Sequence, residues 1–173
     1  MRPRDWLRGT LIAAALTVCT VGAEGQRMQP TVVIVMEKGG EIRLELYHAD
    51  APKTVESFVT LSRKGFYDGL SFHRVVPGFV AQGGDPRGDG TGGPGYTLPA
   101  EFNRRKHLRG TVAMARSQHP DSAGSQFYIC FAPAPHLDGS YTVFGQVVSG
   151  LEVVDGIRVG DRMKTIRIEG PTP

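Results

Sequence analysis

The stretch that most constrains the fold is residues 71–85, SFHRVVPGFVAQGGD. Strand-forming apolar residues dominate it, but Pro77-Gly78 interrupts the run, which predicts two short strands joined by a turn. Because alternate residues of a strand face opposite sides, Arg74, Phe79 and Gln82 can converge on one surface. A cation, an aromatic ring and an amide donor suit a ligand with a carbonyl beside an apolar ring. A barrel strand with a solvated arginine fits the same spacing equally well.

The rest of the chain adds short strand-like runs and two helical patterns. Ile42, Leu44 and Leu46 alternate with charged residues, as in a half-buried antiparallel strand. Further strands are predicted over residues 31–36, 110–117, 126–131, 142–148 and 164–168. Helices are predicted from Pro52 to Gly65 and over residues 151–157. Many short strands with two helices predict an all-β fold, a closed antiparallel barrel.

Residues 1–23 have the pattern of a secretory signal. Arginines precede an apolar run, and small residues follow the run before Glu24. The run is short for a membrane span, and an uncleaved anchor is the alternative interpretation. Residues 24–30 are predicted to be a linker, and residues 31–170 a single domain. We therefore expect a periplasmic or secreted protein, attached to a membrane if the segment is uncleaved.

Charge and cysteine content argue against several classes of function. Beyond residue 23 the chain carries 17 basic and 16 acidic residues. That balance, without an aromatic ladder, disfavours a small barrel that binds nucleic acid or oligosaccharide, and it gives no attraction to anionic membranes. Cys130 is the one cysteine in this part of the sequence, so no disulfide framework can form there. We interpret it as a small buried hydrophobe.

Other motifs in the sequence do not indicate a cofactor. The glycine-rich segment 83–95 lacks the Lys-Ser/Thr ending of a phosphate loop, and it predicts a long loop packed close to the site. The histidines show no pair at metal-ligand spacing, and no serine lies in a Gly-x-Ser-x-Gly elbow. His73 should face away from Arg74, as a core or hydrogen-bonding histidine. Residues 101–109, which are rich in basic residues, are predicted to be a solvated loop.

Residues 72–85 closely resemble the signature of the cyclophilins, the cyclosporin-type peptidyl-prolyl isomerases. Further motifs of that family follow in the same order: Gly90-Thr91-Gly92-Gly93, Met114-Ala115, Gly124-Ser125-Gln126-Phe127, Leu137-Asp138-Gly139 and Val143-Phe144-Gly145. The resemblance covers residues 31–169. It implies an eight-stranded antiparallel β-barrel capped by two helices. It also implies cis/trans isomerisation of Xaa-Pro bonds without a cofactor or metal.

The resemblance also assigns roles to site residues. It implies that Arg74 is the catalytic arginine and that Gln82 assists it and holds the substrate backbone. The residues implied to line the pocket for the proline ring are Phe79, Val80, Tyr128 and Leu137. Those implied to border the groove for the preceding residue are Gly90, Ala115, Arg116 and Gln126. Tyr141 stands where many relatives carry a histidine.

Three residues depart from the common pattern of the family. Arg116 stands where many relatives have asparagine, and we expect this change to alter substrate preference more than activity. Tyr128 replaces the usual phenylalanine and adds a hydroxyl that must find a partner or water. His136 replaces the tryptophan of strongly cyclosporin-sensitive relatives, so we expect weak cyclosporin binding.

The sequence therefore predicts a monomeric enzyme that isomerises prolyl bonds in exported, partly folded proteins. Its substrates would be proline-containing polypeptides, and nucleic acid is not expected as a partner. The rival interpretation is a binding module that uses the same pocket as a chaperone or scaffold. The presence of both Arg74 and Gln82 favours the enzyme, because a pure binder has no need of both.

Overall fold

The structure is a computed structural model that describes residues 31–170, so the predicted signal and linker lie outside the described residues. The elements within this range are β1 Thr31–Met36, β2 Glu41–Leu46, α1 Pro52–Arg63, β3 Arg74–Val76, β4 Val80–Gly83, β5 Thr111–Met114, β6 Phe127–Cys130, β7 Val143–Ser149, α2 Leu151–Asp155 and β8 Met163–Glu169. Short 3-10 helices span Pro120–Ser122 and Pro135–Leu137. Neither α1 nor α2 is long and apolar enough to cross a membrane.

The strands form one curled antiparallel sheet in the order β3-β4-β6-β5-β7-β2-β1-β8. The edge strands β3 and β8 do not form a ladder with each other. A single bridge between Ser71 and Arg162 joins the two edges, and the N–H of Phe72 donates to Asp161 O at 2.8 Å beside it. The predicted eight-stranded all-β fold is confirmed. Further backbone hydrogen bonds between residues 69–72 and 160–163 close the sheet around this bridge. They do not extend into a ladder between β3 and β8, because β3 begins at Arg74, beyond the point where the chain meets β8.

Helix α1 packs its apolar stripe into the interior of the curled sheet. Val55, Phe58 and Val59 are buried there, as the helical spacing predicts. The Phe58 ring lies 5.5 Å from the Phe127 ring and 5.1 Å from the Phe144 ring, between ring centroids. The helix therefore fixes the positions of β6 and β7, which contribute residues to the site described below.

A distant carboxylate caps the N-terminus of α1. Ala51 occupies the N-cap position, where its side chain can accept no hydrogen bond. Glu101 supplies the missing acceptors, because its carboxylate accepts the N–H of Lys53 at 3.0 Å and of Thr54 at 2.8 Å. A negative charge at this end also interacts favourably with the helix dipole. Glu101 thus ties the loop before β5 to the helix.

Strand β6 is buried on both faces, and this determines where the site forms. Phe127 and Ile129 point into the main core, whereas Tyr128 and Cys130 point to the opposite face. There they form an outer cluster with Val80, Ala113 and Val143. Burial raises the pKa of the Cys130 thiol to about 12, in agreement with the prediction of a buried hydrophobe. The outer cluster is the apolar floor of the site.

Candidate active site

Strands β3 and β4 place Arg74 and Gln82 directly opposite each other. The two residues are paired in the strand register, and Arg74 Nη1 lies 3.4 Å from Gln82 Oε1. The turn between the strands is closed by the N–H of Phe79 donating to Val76 O at 3.0 Å, with Gly78 at a φ of +71°. The predicted convergence of Arg74, Phe79 and Gln82 on one surface is therefore observed.

These side chains surround a cavity of about 250 Å³, called here the proline cavity after the role that the resemblance predicts for it. Its lining consists of Arg74, Phe79, Val80, Gln82, Ala115, Arg116, Tyr128, Leu137 and Tyr141. All residues predicted to hold a proline ring are in this set, and so is Tyr141. A cavity that combines apolar and aromatic side chains with a few convergent polar groups is the usual form of a small-ligand site.

A second cavity of about 390 Å³ adjoins the first and shares Gln82, Ala115 and Arg116 with it. Gly90 and Gln126, predicted to border the neighbouring groove, lie in its lining. His136 lines neither cavity, and its ring stacks on Phe79 at 5.5 Å between centroids. The structure thus brings the predicted residues together, with His136 at the rim, and their roles remain predictions.

A chain of amide hydrogen bonds orients Gln82 toward Arg74. Gln126 Nε2 donates to Gly90 O at 3.0 Å and to Gly92 O at 2.9 Å. The Gln126 oxygen therefore faces Gln82, whose Nε2 donates to it at 3.0 Å. This arrangement leaves Gln82 Oε1 as the acceptor that faces the guanidinium of Arg74.

The glycine-rich loop packs closely against the site, as predicted. The buried carboxylate of Asp85 accepts the N–H of Arg87 at 2.8 Å and of Gly90 at 2.5 Å. A Cβ at Gly92 would lie 2.0 Å from Asp85 Oδ1, so a larger residue cannot occupy this position without displacing the loop. The loop carbonyls that orient Gln126 are held in place by these contacts.

Comparison with known proteins decides the family. The family model described as "Cyclophilin type peptidyl-prolyl cis-trans isomerase/CLD" matches residues 31–171. The chain belongs to the cyclophilin family. The cyclophilin is 52% identical over 140 residues to a peptidyl-prolyl cis-trans isomerase of Synechococcus elongatus, with 80% of this chain and 96% of the relative covered. It is 51% identical over 142 residues to peptidyl-prolyl cis-trans isomerase B of Bacillus subtilis, with 81% and 99% covered.

A solved structure supports the same assignment. A cyclophilin-type isomerase of Cryptosporidium parvum, crystallised in the presence of the dipeptide Ala-Pro, superposes with a TM-score of 0.75 at 32% identity. The match covers 82% of this chain and 99% of that chain. The cyclophilin described here is therefore a peptidyl-prolyl cis-trans isomerase, and it acts on proline-containing polypeptides.

Arg116 of the cyclophilin is held by backbone carbonyls between the two cavities. Its Nε and Nη2 donate to Ser140 O at 3.1 and 2.9 Å, and its Nη1 donates to Ser117 O at 2.9 Å and to Gln118 O at 3.1 Å. The guanidinium also lies 4.7 Å from the centroid of the Tyr141 ring. Arg116 therefore acts as a fixed part of the wall, with most of its N–H groups already bound.

The hydroxyl of Tyr128 finds its partner in His107. His107 Nε2 lies 3.0 Å from Tyr128 Oη, and His107 Nδ1 lies 3.0 Å from Asp138 Oδ1. The prediction of a solvated loop is wrong for His107, which is 1% exposed, although Arg104, Arg105 and Lys106 beside it are exposed. Sequence reasoning identified neither His107 nor Asp138 as part of the site. The signal that could have indicated them is the buried tyrosine, which requires a polar partner.

Asp138 is kept ionised by the groups around it. The backbone N–H and the ring of His107 hydrogen-bond its carboxylate, and Lys106 Nζ lies 3.2 Å away, which lowers the pKa of Asp138 to about 2. Because this pKa is below the ordinary value of 3.8, the interaction favours the folded state above about pH 4. That contribution is lost as the pH falls toward 2.

The histidines do not indicate a metal centre. Within residues 31–170, no three His, Cys, Asp or Glu side chains are placed to hold a metal ion. His73 is partly buried, and both of its ring nitrogens lack a hydrogen-bond partner in this part of the chain. Of the two roles predicted for His73, its burial supports the core role, and no contact supports the hydrogen-bonding one.

Proposed function

We propose that this cyclophilin isomerises prolyl bonds in exported, partly folded proteins, and that Arg74 is its catalytic group. The isomerase activity itself follows from family membership. The observation that carries the residue assignment is the position of Arg74. Its exposed guanidinium stands beside apolar and aromatic side chains at the rim of a cavity of about 250 Å³, against Gln82.

The chemical problem is the partial double bond of the peptide. Rotation removes the amide resonance, at a barrier of about 18–20 kcal/mol. Uncatalysed exchange at Xaa-Pro bonds takes on the order of tens to hundreds of seconds. An acceleration of roughly 10⁵-fold requires about 7 kcal/mol of transition-state stabilisation.

Arg74 can supply part of this stabilisation selectively. In the twisted state the proline nitrogen becomes pyramidal and exposes a lone pair that the planar amide does not offer. A guanidinium N–H directed at that lone pair binds the transition state better than the ground state, which is the condition for catalysis. A charge-assisted hydrogen bond contributes about 1.5–3 kcal/mol in ordinary settings. No covalent step or proton transfer is needed.

The cavity walls supply the rest of the transition-state stabilisation by holding the substrate on both sides of the rotating bond. Phe79, Val80 and Leu137 offer apolar surface for the proline ring above the floor made by Tyr128. One N–H of the Gln82 amide is bound to Gln126, and the other remains available for a substrate carbonyl. Because these groups are held in place before the substrate arrives, each of the interactions is stronger than it would be in water.

The neighbouring groove fits the residue that precedes proline. Gly90, Ala115, Arg116 and Gln126 line it, and the glycine-rich loop forms its outer side. The bound guanidinium of Arg116 changes the shape of this groove more than it adds an available charge. This supports the expectation that the arginine alters substrate preference and leaves the isomerase activity in place.

Export and folding of exported clients are supported by the pattern of residues 1–23. We expect the mature chain to begin near residue 24 and to be recovered outside the cytoplasm, as a mass measurement of the protein from cell fractions would test. That mature protein should accelerate the proline-limited phase in refolding of a secreted test protein. Recovery of the full-length chain from the cytoplasm would contradict export, and recovery of it from the membrane would favour the uncleaved anchor.

Weak cyclosporin binding is expected from His136. The imidazole stacks on Phe79 and presents less apolar surface than the tryptophan of sensitive relatives. Replacing His136 by tryptophan should strengthen inhibition by cyclosporin about tenfold or more, because an indole at this exposed position would be covered by bound cyclosporin and add over about 1.4 kcal/mol of contact. The measurement is inhibition of peptide isomerisation by cyclosporin for both proteins. Nanomolar inhibition of the natural sequence would contradict the expectation.

A further inference from the structure

A pair formed by the buried His107 and the partly buried Asp138 lies directly behind the proline cavity, and the mechanism above does not use it. The side chain of His107 is fully buried, and that of Asp138 is 18% exposed. The two rings of His107 and Tyr128 stack at 6.0 Å between centroids, with 17° between their planes. The Tyr128 ring in turn meets the Tyr141 ring edge-on at 5.9 Å. The polar pair thus supports Tyr128 and, through it, Tyr141, and both of these side chains line the cavity.

The donors and acceptors of this group determine where the protons lie. An ionised carboxylate can only accept, so His107 Nδ1 carries a hydrogen and donates it to Asp138 Oδ1. Asp138 Oδ1 also accepts the backbone N–H of His107 at 2.9 Å. When Nε2 carries no hydrogen it is an acceptor, and the hydroxyl of Tyr128 donates to it. The tyrosine hydrogen is therefore directed away from the cavity.

We propose that His107 and Asp138 are positioning residues that fix Tyr128 in the floor of the proline cavity and thereby set the affinity for the proline ring. This inference rests on the proposed assignment of the cavity to the substrate proline.

Tyr128 depends on His107 because the imidazole is the hydrogen-bond partner of its hydroxyl. Without Nε2 as an acceptor, the hydroxyl of this 5% exposed tyrosine would lose its hydrogen-bond partner, or the whole ring would move toward the space that the proline ring needs. Either outcome weakens binding of the ring. The loops would stay joined, because the backbone N–H of His107 bonds Asp138 and its carbonyl accepts the N–H of Ala134 at 2.8 Å.

The test is a double-variant cycle with His107→Leu and Tyr128→Phe. We expect His107→Leu to raise KM for an Ala-Pro peptide about tenfold and to change kcat less than about twofold, because the ring contact is the same in ground and transition states. In the Tyr128→Phe background the same His107→Leu change should alter KM less than about threefold, because phenylalanine has no hydroxyl that could lose its hydrogen-bond partner. Asp138→Asn, which keeps an acceptor oxygen, should raise KM less than Asp138→Ala does.

Controls separate this effect from a general loss of structure. His48→Leu makes the same substitution outside both cavities, and it should leave KM and kcat unchanged. Thermal unfolding and circular dichroism of each variant report whether it is folded. If His107→Leu alone does not fold, the double variant with Tyr128→Phe is used in its place, because it removes both buried polar groups together.

Two results would overturn the inference. One is a folded His107→Leu protein with the natural KM, and the other is a rise in KM that is equally large with and without the Tyr128→Phe change. Loss of activity in Arg74→Ala together with either result would reject the inference and leave the proposed site intact. Full activity in Arg74→Ala would instead reject the site assignment.

Discussion

Replacing Arg74 by alanine should lower kcat/KM for an Ala-Pro peptide by about 10²–10³-fold, the effect of removing one preorganised transition-state donor. The reason is that Arg74 is an exposed cation at the rim of the proline cavity, and the hydrogen bond from Gln82 to Gln126 holds the Gln82 amide against it. Since the guanidinium binds the twisted amide selectively, most of the loss should fall on kcat. The measurement is isomerisation of the peptide at several concentrations, so that kcat and KM are separated.

Arg74→Lys is the matched control for this prediction. Lysine keeps the positive charge, but it lacks the planar guanidinium whose N–H groups can bond Gln82 and the substrate at the same time. We expect its kcat/KM to lie between those of the natural protein and Arg74→Ala, with unchanged thermal unfolding because Arg74 is exposed. Natural activity in Arg74→Ala would remove Arg74 from the mechanism.

The second large effect concerns stability. Phe58→Ala should lower the free energy of unfolding by about 3–5 kcal/mol, as is usual when a buried phenylalanine is truncated. Phe58 is 2% exposed, and its ring meets those of Tyr67, Phe127 and Phe144. The cavity left behind would be surrounded by aromatic rings on β6, on β7 and in the turn after α1, which cannot collapse into it without moving the sheet.

Denaturant unfolding would measure this loss. Thr60→Ala, on the exposed side of the same helix, is the control and should change the free energy of unfolding by less than about 0.5 kcal/mol. Because Phe127 precedes Tyr128 on β6, the Phe58 variant should also bind peptide less tightly. A loss of stability no greater than that of Thr60→Ala would contradict the account of the core.

Local patterns in the sequence predicted much of the fold. The alternation of Ile42, Leu44 and Leu46 marks β2, and the break at Pro77-Gly78 separates β3 from β4. Both signals act between near neighbours along the chain. The predicted strand over residues 110–117 ends at Met114, because the chain then turns outward to line the cavities.

The features that could not be predicted depend on contacts between distant residues. Glu101 caps α1 across 48 residues, and no local pattern marks it as a cap. His107 looked solvated because its neighbours are basic, yet its ring bonds Asp138, 31 residues away, and Tyr128. The partial closure of the sheet likewise depends on where residue 71 meets residue 162.

The motif resemblance predicted which residues form the site, but it did not predict the hydrogen bonds that orient their side chains. Arg74, Gln82 and Gln126 come together as expected, whereas the direction of each amide follows from the carbonyls of Gly90 and Gly92. Those carbonyls are positioned in turn by the buried Asp85. Short motifs thus indicate which side chains meet, and the loop packing determines how they are oriented.

One measurement separates a catalyst from a module that only binds. Exchange spectroscopy by NMR follows the cis and trans signals of an Ala-Pro peptide in the presence of the protein and of Arg74→Ala. The account predicts strong exchange between the two signals with the natural protein. With Arg74→Ala it predicts peptide binding, seen as shifted signals, without detectable exchange. Binding without exchange in the natural protein would contradict the central claim, that Arg74 and its cavity accelerate rotation about the prolyl bond.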